Sequence, residues 1–169
     1  GIMNVALANG TDFGKAASDE GAHIFRALIN AKDCRHAARI MTKEGQEVYG
    51  STFIFTNDEA YVLENISGQP CSLVKINSLD WPTVRTNHSV NINGAGYTPA
   101  DGDDYLSSKV RHATAEILFK SADDTVDLLD SLNYPLFGNH SAYDTTRDTT
   151  AMRTCSQMAI DPGLQTVYF

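Results

Sequence analysis

The chain has 169 residues, of which 42% are apolar and 20% charged, with a formal net charge of -8. That length and apolar content fit one globular domain, 1–169, and exclude a disordered chain. An acidic chain without a Lys/Arg block offers no nucleic-acid surface, and no apolar run is long enough to cross a bilayer.

Residues 1–9 read as a strand, ended by the turn Asn9-Gly10-Thr11-Asp12. A domain rarely opens inside an apolar strand, so Gly1 is not expected to be where the gene product begins. From Asp19 the pattern turns helical, with Ile24, Ala27, Leu28 and Ala31 at three- and four-residue spacing. Asp33 is placed to cap a second helix whose stripe is Cys34, Ala37, Ala38 and Met41, with Gly45 as its stop. Strands over 51–56 and 60–64 flank Asn57-Asp58 and predict a hairpin. Residues 71–76 would add a third strand.

Asp80-Trp81-Pro82 cannot continue a helix, and Thr83, Val84 and Thr86 favour a fourth strand. That strand would deliver Thr86-Asn87-His88-Ser89 to a loop, Asn91-Ile92-Asn93-Gly94-Ala95-Gly96, too rich in Gly and Asn for regular structure. A short strand that hands Asn and His to a loop is a common way to build a reactive site. Asp103 and Asp104 suit a helix start, followed by the stripe Leu106, Val110, Ala113 and Ile117, with Ser108 and Arg111 off that stripe. A further helix follows the capping box from Ser121 to Asp124. A polar stretch through Gly138, His140 and Asp144 leads past Thr146 and Arg147 into two last strands around the turn Asp161-Pro162-Gly163. Strand, two helices, four strands, two helices, two strands is the order of an α+β layered fold.

Cys34, Cys71 and Cys155 lack any C-x-x-C spacing, and His23 and His36 lack a second ligand at i+4, so no metal site is expected. A metal-dependent hydrolase built on His88, His112 or His140 fails on the same ground: the H-x-x-x-H spacing is missing.

The elements in this order resemble the C-terminal two-thirds of the N-terminal-nucleophile amidohydrolases related to isopenicillin N acyltransferase. They are similar, more distantly, to penicillin V acylase and bile salt hydrolase. The resemblance rests on Gly1-Ile2 and its strand, the helix pair, the hairpin, Val84-Arg85-Thr86-Asn87-His88, Ser108-x-x-Arg111, and Thr146-Arg147 before a strand pair. It implies a four-layer αββα sandwich and a nucleophile, usually Cys, that opens the mature chain and uses its own α-amino group as base. No cofactor enters such a mechanism. Asn87 would then help to form the oxyanion hole, Arg147 would stand near the nucleophile, Asn9 would be a second oxyanion or substrate-binding Asn, and His88 would orient the loop or line the pocket.

The nucleophilic Cys of that family has no counterpart here, because Gly1 carries no side chain and the three cysteines fall elsewhere. The expectation is therefore part of a hydrolase or acyltransferase for amide C–N bonds, completed by a companion N-terminal segment or chain that brings the Cys. The alternative is a non-catalytic binding or assembly module that keeps the fold.

Overall fold

The structure, a computed structural model, describes residues 1–5, 20–45, 47–77, 83–122, 127, 159–161 and 166–168. Strand β1 (Ile2–Val5) is followed by helices α1 (Glu20–Asn30) and α2 (Cys34–Met41). Strands β2 (Gly50–Phe55), β3 (Ala60–Asn65) and β4 (Ser72–Ile76) come next, then a 3₁₀ turn at Pro99–Asp101 and the long helix α3 (Asp103–Ser121). Two short strands, β5 (Ala159–Asp161) and β6 (Thr166–Tyr168), pair antiparallel with each other. Helices beside an antiparallel sheet make the chain α+β.

The main sheet runs β1-β2-β3-β4 and every pairing in it is antiparallel. The predicted hairpin is present, with Ile54 opposite Tyr61 and Phe53 opposite Val62. The expected fourth strand at Thr83 is not part of this sheet; its fourth strand is β1, at the opposite edge beside β2, with Met3 opposite Phe53. Thr, Val and Thr favour extended backbone, and residues 83–88 are extended in their burial rhythm, but propensity does not say which edge is open.

Alternation divides the sheet into two faces. Ile54, Tyr61 and Leu63 point to the side covered by α1 and α2, where they pack with Ala27, Cys34, Ala37, Ala38, Met41 and Val48. Met41, Val48 and Leu63 are essentially solvent-free, and each such side chain contributes roughly 1.5–3 kcal/mol. Asp33 caps α2 as expected: its carboxylate accepts from the His36 N–H at 2.6 Å. The helix ends at Met41 with Thr42 as its cap, before the predicted stop at Gly45, because Val48 turns back and its N–H reaches the Met41 carbonyl at 2.8 Å. On the opposite face of the sheet Val62 faces Val74 and Phe53, and Glu64 lies between Ser51 and Ser72.

Helix α3 starts at the two acids, as predicted, but it is turned round relative to its apolar stripe. Leu106, Val110 and Ile117 are 60%, 41% and 70% exposed, whereas Ser108 and Ala115 are buried. The polar side of α3 faces inward because the segment that it packs against, 83–88, offers hydrogen-bonding groups.

Candidate functional site

From Val84 to His88 every second residue is buried: Val84, Thr86 and His88 are inside, while Arg85 and Asn87 are half-buried. The buried row lies on α3. Thr86 Oγ1 donates to the Ser108 carbonyl at 3.0 Å, Ser108 Oγ donates to Thr86 Oγ1 at 3.0 Å, and His88 Nδ1 lies 2.8 Å from Ser108 Oγ. Each hydroxyl has one proton to give, so this circle closes only when His88 Nδ1 carries the proton and donates to Ser108. The ring also meets Tyr105 edge-on at 6.1 Å and tilts against His112 at 5.2 Å. Tyr105, Ser108 and His112 are one turn apart on the same face of α3, which makes a straight seat for the segment.

Burial is the main reason the His88 pKa falls from 6.5 to about 4, helped by the positive charge of Lys109 and by His112. His88 is therefore neutral at neutral pH and 4% exposed. His112 is shifted down as well, first by burial and against the pull of Glu116, whose carboxylate is 3.9 Å from its Nδ1.

Asn87 projects from the other row. Arg111 Nη2 donates to Asn87 Oδ1 at 2.8 Å. The backbone around it is locked by a short return: Tyr97 N–H bonds the Asn87 carbonyl at 3.0 Å and Ser89 N–H bonds the Ala95 carbonyl at 3.1 Å. This bridge pairs His88 with Gly96. Gly96 has φ +68°, and a Cβ there would lie 2.6 Å from the Asn87 carbonyl oxygen. Only glycine allows the two backbones to come so close.

The loop is tied from the sheet side by Glu64, whose side chain is wholly out of solvent. Its carboxylate accepts from Arg85 Nε at 3.0 Å, from the Val90 N–H at 3.1 Å, from the Asn91 N–H at 2.8 Å and from the Ser89 hydroxyl. Ser89 Oγ in turn accepts from the Ile92 N–H at 2.9 Å. Burial alone would push the Glu64 carboxyl up. The Ser89 hydroxyl, the two backbone N–H groups and the Arg85 charge outweigh it and leave the pKa below the ordinary carboxylate value.

The two signature elements thus meet in space: Thr86-Asn87-His88 is seated on Ser108 and Arg111. Asn9 and Arg147 lie outside the described residues, as do His140 and Cys155. Cys34 belongs to the helix-side core, and burial pushes its thiol up, next to Glu59, so it is a poor thiolate source. Among the described residues no group of three or more His, Cys, Asp or Glu could hold a metal. Sequence reasoning missed Glu64 and Gly96. The signal for Glu64 was a charge inside Tyr61-Val62-Leu63-Glu64-Asn65, a strand otherwise built for burial.

No family model, curated protein or solved structure matches this chain.

Proposed function

We propose that this chain is part of an amidohydrolase or acyltransferase that cleaves an amide C–N bond through an acyl-enzyme. In this reading Asn87 Nδ2 donates to the oxyanion that forms when the carbonyl is attacked. The observation that supports it is the Arg111–Asn87 contact, which turns the amide oxygen toward the guanidinium and the NH₂ to the opposite edge. A neutral donor held in place before the reaction stabilises developing charge without adding a charge of its own. The nucleophilic Cys and its amino-group base come from a companion segment or chain, Arg147 lowers the thiol pKa, and Asn9 supplies a second polar contact. The described sheet with its helix pair forms half of a four-layer αββα sandwich in this picture, with α3 in the opposite helical layer.

The test uses the intact gene product with any chain that co-purifies with it. N-acyl p-nitroanilides of varied acyl length serve as probes, with intact-mass detection of an acyl adduct. Asn87→Ala is expected to slow adduct formation about 10²–10³-fold. Unchanged adduct formation and turnover in that variant would refute the oxyanion role. A purified product with no second polypeptide and no amino-terminal Cys would refute the supplied nucleophile.

A further inference from the structure

We infer that Arg111 is a positioning residue that sets the sense of the Asn87 amide; this inference rests on the oxyanion reading above. A carboxamide is nearly symmetric in shape and opposite in function at its two ends, since one end accepts and the other donates. An oxyanion site tolerates only the donor end. If the amide turned over, its carbonyl would face a negatively charged oxygen, and the site would repel what it should stabilise.

The guanidinium distinguishes the ends because it has five donors and no acceptor. Only the oxygen of Asn87 can face it, and Arg111 Nη2 meets that oxygen at 2.8 Å. The charge on the donor makes this stronger than a neutral contact. Arg111 cannot drift away from its task, because three residues earlier on α3 the buried Ser108 grips Thr86 and His88, the neighbours of Asn87 on either side. From the other direction the Asn87 backbone carbonyl is held by Tyr97 N–H at 3.0 Å. The main chain and the amide plane are therefore fixed by separate groups, and Arg111 acts on the side-chain end.

Arg111→Lys keeps a donor with no acceptor. Arg111→Gln can present either, so it lets Asn87 sit in both senses. In the intact gene product, the glutamine variant is expected to lose roughly 10–100-fold in kcat with KM within about twofold, and the lysine variant to recover most of that loss. In ¹⁵N-labelled protein the Asn87 side-chain NH₂ resonances, assigned by their absence in Asn87→Ala, are expected to shift or double in Arg111→Gln and to stay near their wild-type positions in Arg111→Lys. A folded Arg111→Gln with wild-type kcat and a single unshifted Asn87 signal overturns the proposal, as does a lysine variant as damaged as the glutamine one. Should Arg111→Gln fail to fold, the lysine variant decides alone by the same two readouts. If Asn87→Ala itself leaves turnover intact, the parent reading has failed. If Asn87→Ala is crippled and Arg111→Gln is not, only the positioning role has failed.

Discussion

Arg85 Nε and Glu64 Oε1 meet at 3.0 Å, with the Arg85 side chain 9% exposed and the Glu64 side chain fully buried. A carboxylate at such depth is tolerated only because every side of it is met, by a guanidinium, a hydroxyl and two backbone N–H groups. Removing one partner leaves the other stranded. Glu64→Ala is expected to destabilise by about 3–5 kcal/mol, whereas Glu64→Leu combined with Arg85→Met should cost clearly less. Urea unfolding of the two variants checks this, and equal losses would show that the pair is not coupled.

Acid should act in two separate ranges. His88 is neutral in the fold, with its pKa down from 6.5 to about 4, while the unfolded chain takes up a proton near 6.5. Its contribution is complete above pH 6.5 and is lost as the pH falls toward 4. Glu64 is held below 4.5, so its contribution is complete above that value and is lost as the pH falls through the lowered pKa. Denaturant midpoints measured against pH should show both losses. His88→Gln should shrink the upper one, leaving the share of His112, whose pKa is lowered by burial too, and the lower one intact.

Ser108→Ala removes a hydroxyl that serves both Thr86 and His88. It leaves the buried His88 Nδ1 with Thr86 Oγ1 alone, at 3.0 Å, strips Thr86 Oγ1 of a donor, and should cost about 1–3 kcal/mol. Because the seat of the loop is lost, amide exchange at Ser89 and Tyr97 should speed up by more than global unfolding explains. Exchange that rises only in step with global unfolding would argue against this seat.

Gly96→Ala faces two obstacles: a left-handed backbone at φ +68° and a contact of 2.6 Å with the Asn87 carbonyl oxygen. Handedness alone costs about 1–2 kcal/mol, and the overlap adds to it. Gly94→Ala, also at positive φ (+74°) but with open space around it, should show the handedness cost alone. A comparison of the two melting temperatures separates the contributions.

The features that the sequence made legible are local ones. The cap at Asp33, the hairpin across residues 56–59 and the start of α3 at Asp103 each depend on residues within a few positions. The strand expected at Thr83 does not join the sheet: β1 adds at the opposite edge, beside β2, and the 83–88 segment is bonded instead to helix α3, a long-range choice that no local pattern records. The apolar stripe of α3 misled for a related reason. Its inward face is chosen by Thr86, Asn87 and His88, which want Ser108 and Arg111, and a periodicity argument weighs only apolar residues. Asn87 was recognised as a candidate from its motif; that Arg111 would hold it needed coordinates.

Glu64 reaches across 26 and 27 residues of sequence to bind the Val90 and Asn91 amides. The hairpin next to it closes over only a few positions, so on the chain's own clock the hairpin can zip early while this long closure waits on a larger entropy loss. The corner around Asn87 is accordingly a late arrival. A molecule arrested before that step would carry its strands in register and still leave Asn87 untethered.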